Sequence, residues 1–225
     1  MDGSADARSH TVSSVAQRNA YQRAGGNAKI NDATVEMVKS ILRKEYLEKR
    51  NGLTEADINE FESKIIDLFP TIALQGIMHL LSYYPIPERK EFNTVICEEY
   101  LTLENPALEV YWPKMYEDDM RMEAIAKNKD TILVKNRFGI MEPAGDESIE
   151  PQLVDAVFVP LIAFDLKGFR VGYGKGFYDR YLPRCAQDVV KIGFSYFEPV
   201  DSIGDIDQFD VPLNYCITPT RVYEF

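Results

Sequence analysis

Residues 165–180 read DLKGFRVGYGKGFYDR and contain the most specific pattern in the chain. The preceding run, residues 153–164, is rich in Val, Ile and Phe and predicts a strand that is buried on both faces. Residues 177–182 resume an apolar spacing that is typical of a helix. A strand, a glycine-rich loop and a helix in this order direct several backbone N–H groups toward an anion. The segment therefore predicts an α/β fold with a phosphate-binding loop.

The loop itself combines small residues with positive charge. Three glycines lack the side chains that would keep a phosphate away from the backbone, namely Gly172, Gly174 and Gly176. Arg170 and Lys175 bracket the loop with positive charge, and Asp179 supplies the kind of oxygen ligand that Mg²⁺ needs. The spacing matches neither the Walker A motif nor the G-x-G-x-x-G dinucleotide fingerprint. A polyphosphate site is thus one interpretation, and a structural glycine turn between strand and helix is the other.

The composition is that of a globular protein and narrows the classes of partner. The 225 residues, 45% of them hydrophobic, suffice for one α/β domain or two small ones with a substantial core. The net charge of −11 argues against a nucleic-acid or anionic-membrane surface, so we expect neither kind of partner. No apolar run approaches the length needed to cross a bilayer. Three scattered cysteines without a C-x-x-C pair predict a reducing, cytoplasmic setting and no metal cluster.

The order of the predicted elements indicates one domain after an N-terminal extension. Residues 1–30 are rich in Ser, Ala, Gly, Asn and Arg, and we expect a disordered leader or a cloning remnant there. Residues 31–225 predict a single three-layer α/β domain with a mainly parallel open sheet flanked by helices. Helices are predicted at residues 32–47, 55–69, 94–103 and 177–182. Asn31 or Asp32 is the predicted cap of the first helix, and Thr54 with Asp57 is the predicted cap of the second. Strands are predicted at 76–84, 108–113, 153–164, 189–195 and 215–218, with a hairpin of 120–126 and 131–134 and a loop at 139–143.

Four other charged residues, Lys39, Arg43, Glu91 and Asp210, allow both a functional and an ordinary interpretation. The first predicted helix has a basic face that holds Lys39, Arg43, Lys44, Lys49 and Arg50, and such a face is usually just solvated. Lys39 and Arg43 are four residues apart and point the same way. Glu91 follows a strand in a region where open α/β sheets commonly bind ligands. A favourable charge near the start of the next helix is the simpler interpretation of Glu91. Asp210 ends an acidic loop whose carboxylates are mostly solvated, while one could still reach a metal.

The run from Val159 to Arg180 resembles the signature of the 5-formyltetrahydrofolate cyclo-ligase family, also called methenyltetrahydrofolate synthetases. The resemblance extends over about residues 35–220. Four weaker segments occur in the family's order and spacing: the basic pair of Lys39 and Arg43, the segment EFNT at 91–94, GIMEP at 139–143 and DVPL at 210–213. Together they favour the functional interpretation of Lys39, Arg43, Glu91 and Asp210.

The resemblance implies an ATP- and Mg²⁺-dependent ligase. Its substrate would be the small molecule 5-formyltetrahydrofolate, cyclised to 5,10-methenyltetrahydrofolate with release of ADP and phosphate through a phosphorylated formyl intermediate. Phosphoryl transfer of this kind asks mainly for positioning and charge neutralisation. We expect a monomer or a weak homodimer.

The resemblance also implies a role for each candidate site residue. Glu91 and Lys175 would be catalytic, and Asp179 and Asp210 would hold Mg²⁺. The expected ATP-binding residues are Lys39, Arg43, Arg170, Gly172, Tyr173, Gly174, Lys175, Gly176, Phe177 and Tyr178. The expected substrate-binding residues are Glu91, Tyr173, Gly174, Lys175, Gly176 and Phe177.

Two positions depart from the family pattern. Leu161 stands where the family usually has Gly, and Phe177 stands where it usually has the first of two tyrosines. Phe177 keeps a stacking surface and loses a hydroxyl, which could alter substrate handling without abolishing ATP binding. Two alternatives to the cyclo-ligase stay open: a non-catalytic nucleotide- or folate-binding regulatory protein, and another ATP-dependent transferase on a related scaffold.

Overall fold

The computed structural model describes Ile30–Asn31, Thr34–Val35 and residues 37–116, 118–137 and 139–225. The chain divides into two units, Met1–Glu36 and Met37–Phe225. In the first unit, β1 (Ile30–Asn31) pairs antiparallel with β2 (Thr34–Val35). The expected leader at residues 1–30 lies, apart from Ile30, outside the described residues.

The second unit contains a mixed eight-stranded sheet with helices between its strands. The helices are α1 (Lys39–Asn51), α2 (Glu55–Leu68), α3 (Thr94–Glu104) and α4 (Phe177–Tyr181). The strands are β3 (His79–Leu81), β4 (Glu109–Tyr116), β5 (Arg121–Lys127), β6 (Leu133–Lys135), β7 (Met141–Pro143), β8 (Ser148–Ile149), β9 (Ala156–Phe158), β10 (Ala163–Phe164), β11 (Arg170–Val171), β12 (Val190–Phe194), β13 (Tyr215–Ile217) and β14 (Val222–Glu224). The sheet has the order β14-β13-β12-β9-β3-β4-β5-β8.

The centre of this sheet is parallel. Strand β12 pairs in parallel with β13 and β9, and β3 pairs in parallel with β9 and β4. Only the margins are antiparallel, where β14 adjoins β13 and where β5 and β8 follow β4. Parallel neighbours need long crossover connections, which here include helices. The predicted α/β fold with a mainly parallel sheet and flanking helices is therefore confirmed.

The core divides into layers on the two faces of the sheet. Successive residues of a strand point to opposite faces, so Leu80 and Leu81, both fully buried, belong to different clusters. Leu80 packs in the cluster that contains Ile65 of α2 and Leu101 of α3. Leu81 packs in the cluster that contains Tyr181 of α4. Burial of these apolar faces is the main source of stability for such an arrangement.

The first helix begins later than predicted, whereas the second begins as predicted. Helix α1 starts at Lys39 after the extended residue Val38, whose side chain makes no capping hydrogen bond. Asp205, from the distant acidic loop, instead accepts a hydrogen bond from the Lys39 backbone N–H at 2.6 Å. The cap predicted at position 31 or 32 is therefore wrong, because the actual cap is tertiary. At α2, Thr54 and Asp57 form the expected reciprocal capping box.

The predicted strand at residues 153–164 is two strands. Strand β9 belongs to the main sheet, and β10 forms an antiparallel hairpin with β11. Pro160 lies between the two strands and has no N–H to donate to a ladder, which favours a break at this point. The strand that leads into the glycine loop is consequently β11, the second strand of the hairpin.

The predicted hairpin of residues 120–126 with 131–134 is also wrong. Strand β5 pairs with β4 and β8, while β6 pairs with β7. Gly139, with a φ of +79°, lies in the turn between β6 and β7, so part of the predicted loop at 139–143 is a strand. Periodicity predicted these strands but carried no information on which of them pair.

Gly193 in the central strand β12 provides the space that Leu161 needs. A Cβ at position 193 would lie 2.5 Å from Leu161 Cδ2 and 2.8 Å from Leu213 Cδ1. We expect Gly193→Ala to lower the free energy of unfolding by about 1–3 kcal/mol, the usual cost of overpacking a core. Urea denaturation measures this. Gly145→Ala is the control, since its Cβ would make an ordinary 3.8 Å contact with Ile125, and an equal loss there would contradict the packing argument.

Candidate active site

The glycine loop follows a hairpin turn that a buried carboxylate holds in place. Asp165, 1% exposed, accepts hydrogen bonds from the backbone N–H groups of Lys167 and Phe169 at 2.9 and 3.0 Å and thereby fixes the β10–β11 turn. Gly174 and Gly176 have φ values of +85° and +70°, a left-handed conformation that glycine adopts without strain. The predicted glycine loop thus follows a rigid hairpin and leads into α4.

One stripe of helix α1 faces this loop. Lys39, Arg43 and Arg50 are separated by four and then seven residues, which places them on the same side of a helix. Arg43 donates from Nε to the carbonyl oxygen of Gly172 at 2.8 Å. A Cβ at Gly174 would lie 3.3 Å from Cζ of Arg43, so this guanidinium packs directly on the loop. The basic stripe therefore packs against the glycine loop, in contrast to a face that is merely solvated.

Two ion pairs join the cations of this region to acidic residues. Lys39 pairs with Asp210, and Arg170 donates to Asp179 at 2.6 Å and also to the carbonyl oxygen of Val211. Burial lowers the pKa of Arg170, and the attraction of Asp179 acts in the opposite direction. Both proposed metal carboxylates therefore lie next to proposed phosphate-binding cations.

Glu91 lies in a second polar cluster. Its carboxylate accepts a hydrogen bond from the hydroxyl of Tyr173 and another from the backbone N–H of Ile86, the latter at 2.7 Å. Burial raises the pKa of Glu91, while these hydrogen bonds and the nearby charges of Arg50 and Arg89 counteract the increase. A buried carboxylate with a raised pKa is suited to accept a proton near neutral pH.

A single cavity of about 700 Å³ brings these groups together. All residues that the sequence analysis assigned to a site line this cavity: Lys39, Arg43, Glu91, Arg170, Gly172, Tyr173, Gly174, Lys175, Gly176, Phe177, Tyr178, Asp179 and Asp210. Phe177, at the departure from the family pattern, is 5% exposed and packs in the core while it contributes to the lining. The roles of these residues remain predictions, but their proximity is a property of the fold.

Sequence reasoning missed two arginines near this cavity: Arg89 is one of its lining residues, whereas Arg50 is not and reaches the site through Tyr173. Arg50, 7% exposed, donates to the Tyr173 hydroxyl, and Arg89 stacks over the Tyr173 ring with its Cζ 4.6 Å from the ring centroid. The helical spacing from Lys39 could have identified Arg50, whereas Arg89 had no local signal. Trp112 does not line the cavity; it packs edge-on against Tyr84, which does, and donates from Nε1 to Glu98 at 2.9 Å.

The carboxylates at the cavity fit one kind of metal site. Among the described residues, no group of three or more His, Cys, Asp and Glu side chains could hold a metal ion by itself. Mg²⁺ is usually bound through one or two carboxylates together with phosphate oxygens of a substrate. Asp179 and Asp210 both line the cavity, so they suit an ion shared with a phosphate-bearing ligand.

In the part of the chain that the structure describes, every helix is too short or too polar to cross a membrane.

Comparisons with known proteins give one consistent result. The 5-formyltetrahydrofolate cyclo-ligase family model matches residues 35–219. The 5-formyltetrahydrofolate cyclo-ligase of Mycoplasma pneumoniae is 28% identical over 184 residues, which cover 80% of this chain and 98% of that protein.

Two solved structures share the fold. The 5,10-methenyltetrahydrofolate synthetase of Aquifex aeolicus, determined by NMR, has a TM-score of 0.67 and 31% identity, covering 84% of this chain and 93% of the other. The 5,10-methenyltetrahydrofolate synthetase of Mycoplasma pneumoniae has a TM-score of 0.63 and 27% identity, covering 80% and 98%. Since the family model spans most of the chain and the quoted motifs meet in one cavity, the chain belongs to the 5-formyltetrahydrofolate cyclo-ligase family.

Proposed function

We propose that this chain is an enzyme that cyclises 5-formyltetrahydrofolate to 5,10-methenyltetrahydrofolate and consumes ATP in the presence of Mg²⁺. The observation that carries the proposal is the cavity in which a half-buried carboxylate, Glu91, lies together with a cationic glycine loop. The family membership of the chain and the names of its relatives support the same reaction.

The reaction needs a good leaving group at the formyl carbon. The formyl oxygen is a poor leaving group, so it takes the γ-phosphoryl group of ATP, and ADP departs. The neighbouring N10 amine attacks the formyl carbon and loses its proton to a base. The carbon–oxygen bond then breaks, phosphate leaves, and the positively charged methenyl bridge between N5 and N10 remains. One ATP and one 5-formyltetrahydrofolate thus give one ADP, one phosphate and one 5,10-methenyltetrahydrofolate, and the proton of N10 passes to the base.

The cations at the cavity would neutralise the phosphate charge. Phosphoryl transfer depends mainly on positioned positive charge, and Lys39, Arg43, Arg170 and Lys175 supply it around the loop. Arg43 is oriented by the Gly172 carbonyl, so it is positioned before a ligand binds. Mg²⁺, when bound through Asp179 and Asp210, would add charge neutralisation at the phosphate oxygens.

Glu91 would accept the proton from N10. Its half-buried position and raised pKa suit this role, and its two hydrogen bonds hold the carboxylate in place. Because the ionised form is the base, activity should decline as the pH falls through a pKa that lies above the usual range of a glutamate. A solvated helix-end charge would titrate in the usual range.

The test is an absorbance assay with purified protein, Mg-ATP and 5-formyltetrahydrofolate, in which the methenyl product absorbs in the near ultraviolet. Lys175→Ala is measured beside the wild type. An ATP-dependent signal that the substitution strongly reduces would support the reaction and the site together. Protein that binds ATP but yields no product would overturn the proposal in favour of a regulatory, non-catalytic protein.

The glycines of the loop offer a matched pair of substitutions. Gly174→Ala would place a Cβ against Arg43 at a positive φ, whereas a Cβ at Gly172 would meet no heavy atom within 4 Å. We expect Gly174→Ala to weaken ATP binding by about tenfold or more, since the left-handed conformation alone costs about 1–2 kcal/mol. Isothermal titration calorimetry with Mg-ATP measures this. An equal loss of ATP affinity in Gly172→Ala and Gly174→Ala would contradict the argument from the backbone conformation of Gly174.

A further inference from the structure

Arg50 is a buried arginine at the end of the α1 stripe. Its Nη1 donates to the carbonyl oxygen of Leu161 at 3.3 Å, and its Nη2 donates to the hydroxyl of Tyr173 at 2.5 Å. Its Nε is buried and has no hydrogen-bond partner among the described residues. A buried guanidinium is costly unless it is paired and hydrogen-bonded. The hydrogen bonds to Leu161 and Tyr173 offset part of this cost and fix the position of the charge.

The hydrogen bonds of Arg50 determine the direction of a short relay. Arginine can only donate, so the oxygen of Tyr173 is the acceptor of the bond from Arg50. The single hydroxyl proton of Tyr173 is then free to point to Glu91, whose carboxylate accepts it. The other carboxylate oxygen accepts from Ile86. Both oxygens of Glu91 therefore face donors, which favours the ionised carboxylate over the acid.

Glu91 is surrounded mainly by tyrosine side chains, so the few nearby cations matter for its charge state. Tyrosine side chains face it from the end of β3, from α4 and from the segment after β12, namely Tyr83, Tyr178 and Tyr196. The two cations that face it are Arg50 from α1 and Arg89 from its own loop, and Arg50 has the larger effect on the pKa of Glu91. Arg89 is more exposed than Arg50, so water screens its charge more strongly.

We propose that Arg50 is a positioning residue, which directs the hydroxyl proton of Tyr173 to Glu91 and keeps Glu91 ionised as the proton acceptor. The role of Glu91 rests on the proposed function, whereas the relay from Arg50 to Glu91 does not. Arg50 acts through Tyr173 and through its charge, without contact to the reacting atoms.

The kinetic test compares Arg50→Met, Arg50→Lys and Lys49→Met. We expect Arg50→Met to shift the acidic limb of the kcat/KM–pH profile to higher pH by about one unit. At a pH below the limb, kcat/KM should therefore fall about tenfold. Arg50→Lys keeps the charge and should remain close to wild type. Lys49→Met removes an equal charge from the exposed face of the same helix and should leave the limb in place. A limb that stays in place in Arg50→Met, or moves equally in Arg50→Lys, would overturn the inference.

A second measurement is independent of turnover. The pKa of Glu91 is followed in the ligand-free protein by carboxyl ¹³C NMR, with Glu91→Gln to assign the signal. Arg50→Met should raise this pKa by about one unit. Where Arg50→Met does not fold, Tyr173→Phe carries the test, because it interrupts the same relay and should shift the pKa upward. An unchanged pKa would overturn the inference even in an active enzyme, and an inactive wild type with the expected shift would overturn only the proposed function.

Discussion

Replacing Glu91 with Gln should lower kcat by about 10²–10⁴-fold, the usual contribution of a positioned general base. Glutamine has a similar shape and can still accept the hydrogen bond of Tyr173, so the cavity should keep its form. It cannot accept the N10 proton, so ring closure should be slow although ATP still binds. The absorbance assay gives kcat, and calorimetry with Mg-ATP measures the remaining nucleotide affinity.

Glu99→Gln is the control for this substitution. Glu99 lies exposed on α3, the helix that follows the Glu91 loop, so the same chemical change is made outside the cavity. The control should keep wild-type turnover. A Glu91→Gln variant with nearly normal kcat would contradict the role of Glu91 as base and restore its interpretation as a helix-end charge.

Replacing Arg170 with Met should lower kcat/KM for ATP by about 10²–10³-fold, as expected when one stabilising donor is removed from a phosphoryl-transfer site. Arg170 is 8% exposed and links Asp179 to the backbone at Val211. Its loss would leave Asp179 as an unbalanced negative charge beside the phosphates. It would also leave the Val211 carbonyl without this donor, which should lower the free energy of unfolding by about 1–3 kcal/mol.

Lys167→Met is the matched control, because Lys167 is an exposed cation in the turn of the same β10–β11 hairpin. It should leave both kcat/KM and thermal stability close to wild type. If Arg170→Met lost stability but kept its kcat/KM for ATP, Arg170 would be a structural residue only.

Much of the architecture was accessible from local patterns. The cap at Thr54 and Asp57, the helix at 94–103 and the short helix after the glycine loop were all predicted close to their observed positions. Each depends on residues within a few positions of one another, so periodicity and capping chemistry carry the information. The parallel centre of the sheet followed from the alternation of strands and helices.

The errors arose where distant residues decide the local conformation. Helix α1 begins at Lys39 because Asp205 caps it, and no cue near Lys39 identifies that partner. The apolar run at 153–164 divides because β10 pairs with β11 instead of extending β9. Arg50 was interpreted as part of a solvated face, although Leu161 and Tyr173 accept its hydrogen bonds inside the protein.

Short motifs and regular spacings were enough to identify the fold class, the family and the predicted residues of one cavity. The pairing of Lys39 with Asp210, 171 positions away, and the link from Arg50 through Tyr173 to Glu91 became visible in the folded chain alone. A hydrogen bond depends on the distance between two atoms in space, and residue spacing along a chain does not contain that distance for positions so far apart. The charge state of Glu91 therefore depends on the folded chain, since burial and neighbouring cations set its pKa.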